Sequence, residues 1–143
     1  MSIERIVVLA RLKFIADNLQ ELRRFESMTI EDYLNSFDHR IISERILELI
    51  VQAAVDINEH ILTRIQQIES VTNRESFLQA EQYGIISHEL AEELSKSAGL
   101  RNILAHRYLE IDYVKLFDAI KSALIYYPIY IQQISEYINR LGQ

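Results

Sequence analysis

The chain has 143 residues, 49% of them hydrophobic and 25% charged, with a net charge of −6, three glycines, one proline and no cysteine. That length supports one domain with its own core. The missing cysteine excludes disulfides and thiolate metal sites, and the acidic balance argues against a general nucleic-acid binder, whose surface is usually basic.

Scarce breakers and abundant Leu, Ile, Glu and Gln predict an all-α protein. No apolar run is long enough to span a bilayer. Met1-Ser2-Ile3-Glu4-Arg5 lacks the basic region and apolar core of a signal peptide. A cytoplasmic protein is the expectation. Leu9, Leu12, Ala16, Leu19 and Leu22 recur at helical steps, widened by Phe14 and Ile15, and predict a first helix over 3–25. Thr29 with Asp32 three residues on reads as the start of a short helical turn through Tyr33. A second long helix is predicted from Asp38 to about Ile68, with Ile42, Ile46, Leu49, Ile50, Ala53, Ile57 and Ile61 inside. Glu44, Arg45, Glu48, Gln52 and Asp56 stud it. They read as a solvated stripe or an interhelical hydrogen-bond network, because no histidines are spaced around them to complete a transition-metal site.

Thr72-Asn73-Arg74-Glu75 fits a capping box opening a short helix through Tyr83, which Gly84 ends. Ser87 caps the next helix, with Ile86 and Ala91 as a hydrophobic staple. Leu90, Leu94 and Ala98 carry it on, and Gly99 reads as a bend or a close backbone approach. Asp112 caps the last helix, whose buried face is predicted at Val114, Phe117, Ile120, Leu124, Ile131, Ile134 and Ile138, with a kink at Pro128. No linker or internal repeat interrupts the chain.

Chemistry concentrates in one stretch, Arg101-Asn102-Ile103-Leu104-Ala105-His106-Arg107-Tyr108. If the helix continues, Asn102 and His106 share a face, and Arg101 and Tyr108, seven apart, share an adjacent one. If it ends near Ala105, an extended run points His106 and Tyr108 the same way. Both cases place the four groups along one groove. They suit RNA cleavage by internal transesterification. The imidazole of His106 serves as acid or base. The Arg101 fork fits phosphate oxygens, and Asn102 orients His106 or bonds the phosphate. No metal or cofactor is called for, since RNA carries its own nucleophile. One histidine cannot easily fill both acid and base positions, so a two-fold dimer is expected. Lys96, Arg107 and Lys115 lie around the stretch and form the local basic patch that an RNA site on an acidic body needs. His39, His60 and His88 read as packed or solvated, without partners of suitable spacing, and Tyr126, Tyr127 and Tyr130 as packing residues.

Arg101, four residues, His106, one residue and Tyr108 resembles the Arg-x4-His-x-Tyr signature of HEPN-domain ribonuclease toxins. The opening helix, Glu44-Arg45, Asp56-Ile57, Gly99-Leu100-Arg101-Asn102 and Ile111-Asp112-Tyr113 resemble the HepT branch over nearly the full chain. The resemblance implies a single HEPN domain over 1–143, folded as an all-α up-and-down bundle of four main helices plus short ones. It implies a homodimer with a composite groove, acting as the toxin of a type VII toxin–antitoxin pair. Arg101 and His106 are then catalytic and Asn102 assists. The substrate class is RNA, with tRNA first and mRNA second. The partner is a minimal nucleotidyltransferase antitoxin that transfers AMP from ATP to Tyr108. The alternative is a non-catalytic helical partner that binds a nucleotidyltransferase or nucleotide, which the acidic charge fits.

Overall fold

The computed structural model describes residues 3–68 and 73–142, the side chains of Ile3, Asn73, Arg74 and Tyr108 excepted. The chain is built from α1 (Ile3–Leu22), α2 (Ile30–Leu34), α3 (Phe37–His60), α4 (Asn73–Gln82), α5 (His88–His106) and α6 (Tyr113–Leu141). Short 3₁₀ turns at Arg23–Phe25 and Tyr108–Glu110 and a π-helical turn at Ile61–Ile65 complete the described helical segments. Four helices are long, α1, α3, α5 and α6, as the periodicity predicts. α1 lies against α3 and α6, and α5 against α4 and α3.

The caps follow the residue types. Thr29 accepts from the Asp32 N–H at 3.2 Å, and Ser87 accepts from the Leu90 N–H at 3.3 Å. Asp112 accepts from the amides of Val114 and Lys115 at 3.0 and 3.3 Å. Ile86 and Ala91, the expected staple, are both buried. Gly84 ends α4 with φ +73°. Its N–H bonds Glu81 O at 3.0 Å, and the Ile85 N–H bonds Ala80 O at 2.8 Å, the paired bonds of a Schellman motif. The capping role assigned to Thr72 lies outside the described residues.

The first helix buries Val8, Leu12, Ile15, Leu19 and Leu22, whereas Ala16 and Phe14 are exposed. Its true stripe therefore runs through Val8 and Ile15, one flank away from the Leu9–Ala16 line. Ile42 and Val114, expected inside, are also exposed. Both sit in the first two turns of their helices, beside the buried Ser43 and the half-buried Tyr113, and so on the outer flank of each helix. Gly99 meets no atom within 4 Å of where a Cβ would stand, so no backbone approaches it. The second helix stops at His60 rather than Ile68, passing into the π turn and then Gln67 at φ +59°. α6 runs on through Pro128.

Buried polar groups tie the long helices together. The Tyr130 O–H reaches Asn58 Oδ1 at 2.6 Å and Ala54 O at 3.0 Å, and Asn58 Nδ2 donates to Ser76 Oγ at 3.1 Å. This joins α3, α4 and α6 at a fully buried point. Tyr33 of α2 shares a hydrogen bond with Ser43 Oγ at 2.8 Å and packs on Phe117, ring centres 4.8 Å apart. Burial pushes the Tyr33 phenol up to about 12.

Candidate functional site

α5 carries the chemistry-bearing stretch on its last two turns and ends at His106. Arg107 leaves the helix at φ −128°, ψ 46°, while its N–H still bonds Ile103 O at 2.8 Å. A 3₁₀ turn over Tyr108–Glu110 then leads to the Asp112 cap. Neither the continuous helix through Tyr108 nor the extended run over His106–Tyr108 is realised in the backbone. The expected accessibility of its hydroxyl falls outside the described residues.

Residues on a helix advance by about 100°, so Arg101 and His106, five apart, point about 140° from each other. Arg101 turns toward the core side, in line with Leu94, Ala98 and Leu104, and is half-buried. Its Nε is buried without a partner. Among the described residues its guanidinium makes no hydrogen bond or ion pair. Asn102 and His106 are exposed on the opposite flank, one turn apart. An arginine held half-buried with free donors is ready for an anion, and an exposed imidazole is ready for a solvent-borne substrate.

The basic residues divide as well. Lys96 on α5 and Lys115 on α6 stand at the mouth of one groove between these helices, about 330 Å³ in volume. Lys96 pairs with Glu93 at 3.3 Å. Arg107 is exposed at the end of α5, with its guanidinium 3.8 Å from Glu110. The groove is a feature that the periodicity of single helices does not reveal. Its signal was the run of small residues Ala119, Ser122 and Ala123 on α6, facing Ser97 and Leu100 of α5.

The polar stripe on α3 forms separate pairs, one of them between helices. Glu44 accepts from the Tyr113 O–H at 2.8 Å, Gln52 donates to Asp56 at 2.8 Å, and Arg45 lies 3.5 Å from Glu48. Desolvation and then the Glu44 carboxylate push the Tyr113 phenol up. Arg40 stacks over Tyr113, 5.3 Å from the ring centre. Among the described residues no three His, Cys, Asp or Glu side chains are grouped to hold a metal ion, and no helix is long and apolar enough to cross a membrane. Of the remaining histidines, His39 packs edge-on against Phe25. Desolvation, then Arg11 and Arg64, lower His60. His88 does have carboxylate partners: Nδ1 is 2.9 Å from Glu81 and Nε2 is 3.4 Å from Glu92.

The family described as HepT-like (Ribonuclease HepT-like) matches residues 15–139. The chain is 44% identical over 142 residues to a tRNA nuclease HepT of Aphanizomenon flos-aquae, covering 99% of this chain and 97% of the relative. It is 35% identical over 66 residues to an mRNA nuclease HepT of Shewanella oneidensis, covering 46% of this chain and 50% of that one. Its fold matches a solved structure of tri-AMPylated Shewanella oneidensis HEPN toxin in complex with MNT antitoxin. That match has TM-score 0.82 and 21% identity, covering 95% of this chain and 99% of that chain.

Proposed function

Because this chain belongs to the HepT-like ribonuclease family, we propose that it is the toxin of a toxin–antitoxin pair, a cytoplasmic endoribonuclease acting on tRNA. The observation that carries the reading is the end of α5. There a half-buried Arg101 with unused donors sits beside an exposed Asn102 and His106. The full-length similarity to a tRNA nuclease favours tRNA over mRNA, whose relative matches less than half of the chain.

The reaction is attack of a ribose 2′-oxygen on the adjacent phosphorus. The 2′-proton passes to a base, the P–O5′ bond breaks, and an acid protonates the leaving 5′-oxygen. The products are a 2′,3′-cyclic phosphate and a 5′-hydroxyl. Arg101 binds the non-bridging oxygens through parallel charge-assisted bonds. His106 exchanges the proton, and Asn102, one turn behind it on the same face, orients the ring or bonds the phosphate. Arg101 and His106 diverge on one copy, so a single chain does not gather them. A two-fold homodimer with the two α5 ends together supplies Arg101 from one copy against His106 from the other, and two imidazoles for the two proton transfers. It also doubles the local charge of Lys96, Arg107 and Lys115 on an acidic body.

Neutralisation follows from Tyr108, two residues beyond His106. A nucleotidyltransferase antitoxin transfers AMP to its phenol oxygen, which attacks the α-phosphorus of ATP and releases pyrophosphate. The phosphodiester then places bulk and negative charge beside His106 and repels RNA.

The test is induced expression of wild type, His106→Ala and Tyr108→Phe, each with and without the adjacent nucleotidyltransferase, followed by intact mass and by tRNA cleavage in EDTA. Wild type alone should arrest growth and cleave RNA. Loss of the proton-transfer group typically lowers the rate by roughly 10²–10⁴, so His106→Ala should do neither. Co-expressed wild type should gain mass in whole AMP steps and lose activity. Tyr108→Phe should stay unmodified and toxic. Full activity of His106→Ala overturns the catalytic assignment, and neutralisation of Tyr108→Phe overturns the modification assignment.

A further inference from the structure

The groove between α5 and α6 has a use that neither proton transfer nor modification assigns to it. Its floor is apolar, formed by Leu47, Leu94, Leu100, Ala119 and Ala123. Tyr127 closes the bottom, its hydroxyl engaged with Ser97 Oγ at 2.8 Å. The mouth is polar and carries both signs: Glu93 and Lys96 on α5, Lys115 and Asp118 on α6. Glu93 and Lys96 are paired with each other. Lys115 and Asp118, one turn apart on α6, make no side-chain hydrogen bond or ion pair among the described residues. The volume of about 330 Å³ is at the small end of ligand pockets, roughly 300–1,000 Å³, the size of one nucleotide rather than a helix or a lipid tail.

We propose that this groove is a nucleobase subsite for the RNA substrate and that it prefers guanine. The proposal rests on the ribonuclease reading above. Three features of the occupant match three features of the groove. A flat aromatic base fills an apolar slot floored by leucines and alanines. A carboxylate at the mouth accepts two adjacent N–H groups, and guanine alone among the four bases offers them from N1 and the exocyclic N2. Asp118 is the carboxylate without another partner. A free lysine beside it takes the nucleotide's phosphate, and Lys115 is that cation. Single-stranded RNA is read in this way, by splayed bases held in pockets. The position is also right. Ser97 in the groove wall precedes Arg101 by four residues on one face of α5, about 6 Å along the axis. A base seated in the groove therefore leaves the next phosphate within reach of the Arg101 guanidinium. The subsite is distinct from the reacting groups: it selects which linkage is presented to them.

The experiment uses the full chain carrying His106→Ala, so that RNA survives, with amide chemical shifts followed as 5′-GMP, 5′-AMP, 5′-CMP and 5′-UMP are added. GMP should shift amides of Leu94–Leu100 and Lys115–Ala123 and bind at least tenfold tighter than the other three. Ala119→Leu, which places a branched side chain in the slot, should abolish these shifts. Asp118→Asn, an exposed change that turns one acceptor oxygen into a donor, should remove the preference for GMP and leave the fold unaltered. In the active protein, both substitutions should redistribute the cleavage sites on a tRNA transcript. Absence of groove shifts with GMP overturns the subsite, and so does equal binding of all four nucleotides. A change in oligomeric state with Ala119→Leu also overturns it, because the groove is then a protein interface. Should the protein cleave no RNA while GMP still binds in the groove, the subsite stands and the ribonuclease reading fails. Cleavage with an unaltered site pattern in both variants has the reverse meaning.

Discussion

Replacing Arg101 with lysine separates a catalytic arginine from a structural one. Lysine keeps the positive charge and most of the stem but deletes the planar fork and the Nε donor. That Nε is buried with no partner, and the rest of the guanidinium is likewise unbonded among the described residues. Nothing in the protein loses an acceptor's partner on substitution, so stability should change little. A change without a lost partner, cavity or cap typically stays within about 0.5 kcal/mol, which is a melting-temperature shift of about 2 °C for a domain of this size. Activity should respond differently. A hydrogen bond to a charged group contributes about 1.5–3 kcal/mol. Losing one such bond in the transition state lowers kcat/KM roughly 10- to 150-fold at about 1.4 kcal/mol per decade. The assay is cleavage of a tRNA transcript in EDTA at limiting substrate, beside a thermal melt of the same preparation. A fall of several degrees with activity lost in proportion would refute the reasoning, since Arg101 would then be holding the α5 end in place. Activity within twofold of wild type would refute it from the other side.

Three further outcomes test the scaffold. Tyr130→Phe leaves Asn58 Oδ1 without the phenol donor now 2.6 Å away. The substitution should cost about 1–3 kcal/mol, read as a lower urea midpoint at unchanged slope, with activity intact at room temperature; an unchanged midpoint contradicts the network. Gly84→Ala meets no steric neighbour, so its effect should come from the φ of +73°, at about 1–2 kcal/mol, whereas Gly99→Ala inside α5 should stabilise by about 0.5–1 kcal/mol; equal effects at the two sites would contradict the assignment. For His88, the hydrogen bond that its ring donates to Glu81, then the charges of Glu81 and Glu92, raise the folded-state pKa above its ordinary 6.5. Its contribution is therefore fully present below about pH 6.5 and is lost as pH rises through the raised value. His88→Gln should lower the melting temperature at pH 5.5 and leave it nearly unchanged at pH 9, and a deficit that grows with pH would reverse the assignment.

The residues alone determined the helical class, the four long helices and most of the boundaries. Helical period and capping chemistry act within a few residues, so Thr29, Gly84, Ser87 and Asp112 could be read locally and take the roles expected of them. The motif that carries the family, Arg101 to Tyr108, is equally local and equally legible. What could not be read locally is which flank each helix buries. The period of α1 allowed either the Leu9–Ala16 or the Val8–Ile15 line, and only the packing of α3 and α6 against it selects the second. Exposure of Ile42 and Val114 has the same origin, since each lies on the flank of its helix turned away from its buried neighbours. The divergence of Arg101 from His106 follows from the helical step alone, but the groove shared by Lys96 and Lys115 depends on contacts between segments distant in the chain. Periodicity places side chains around one axis; the second helix that turns a face into a site is supplied by tertiary structure alone.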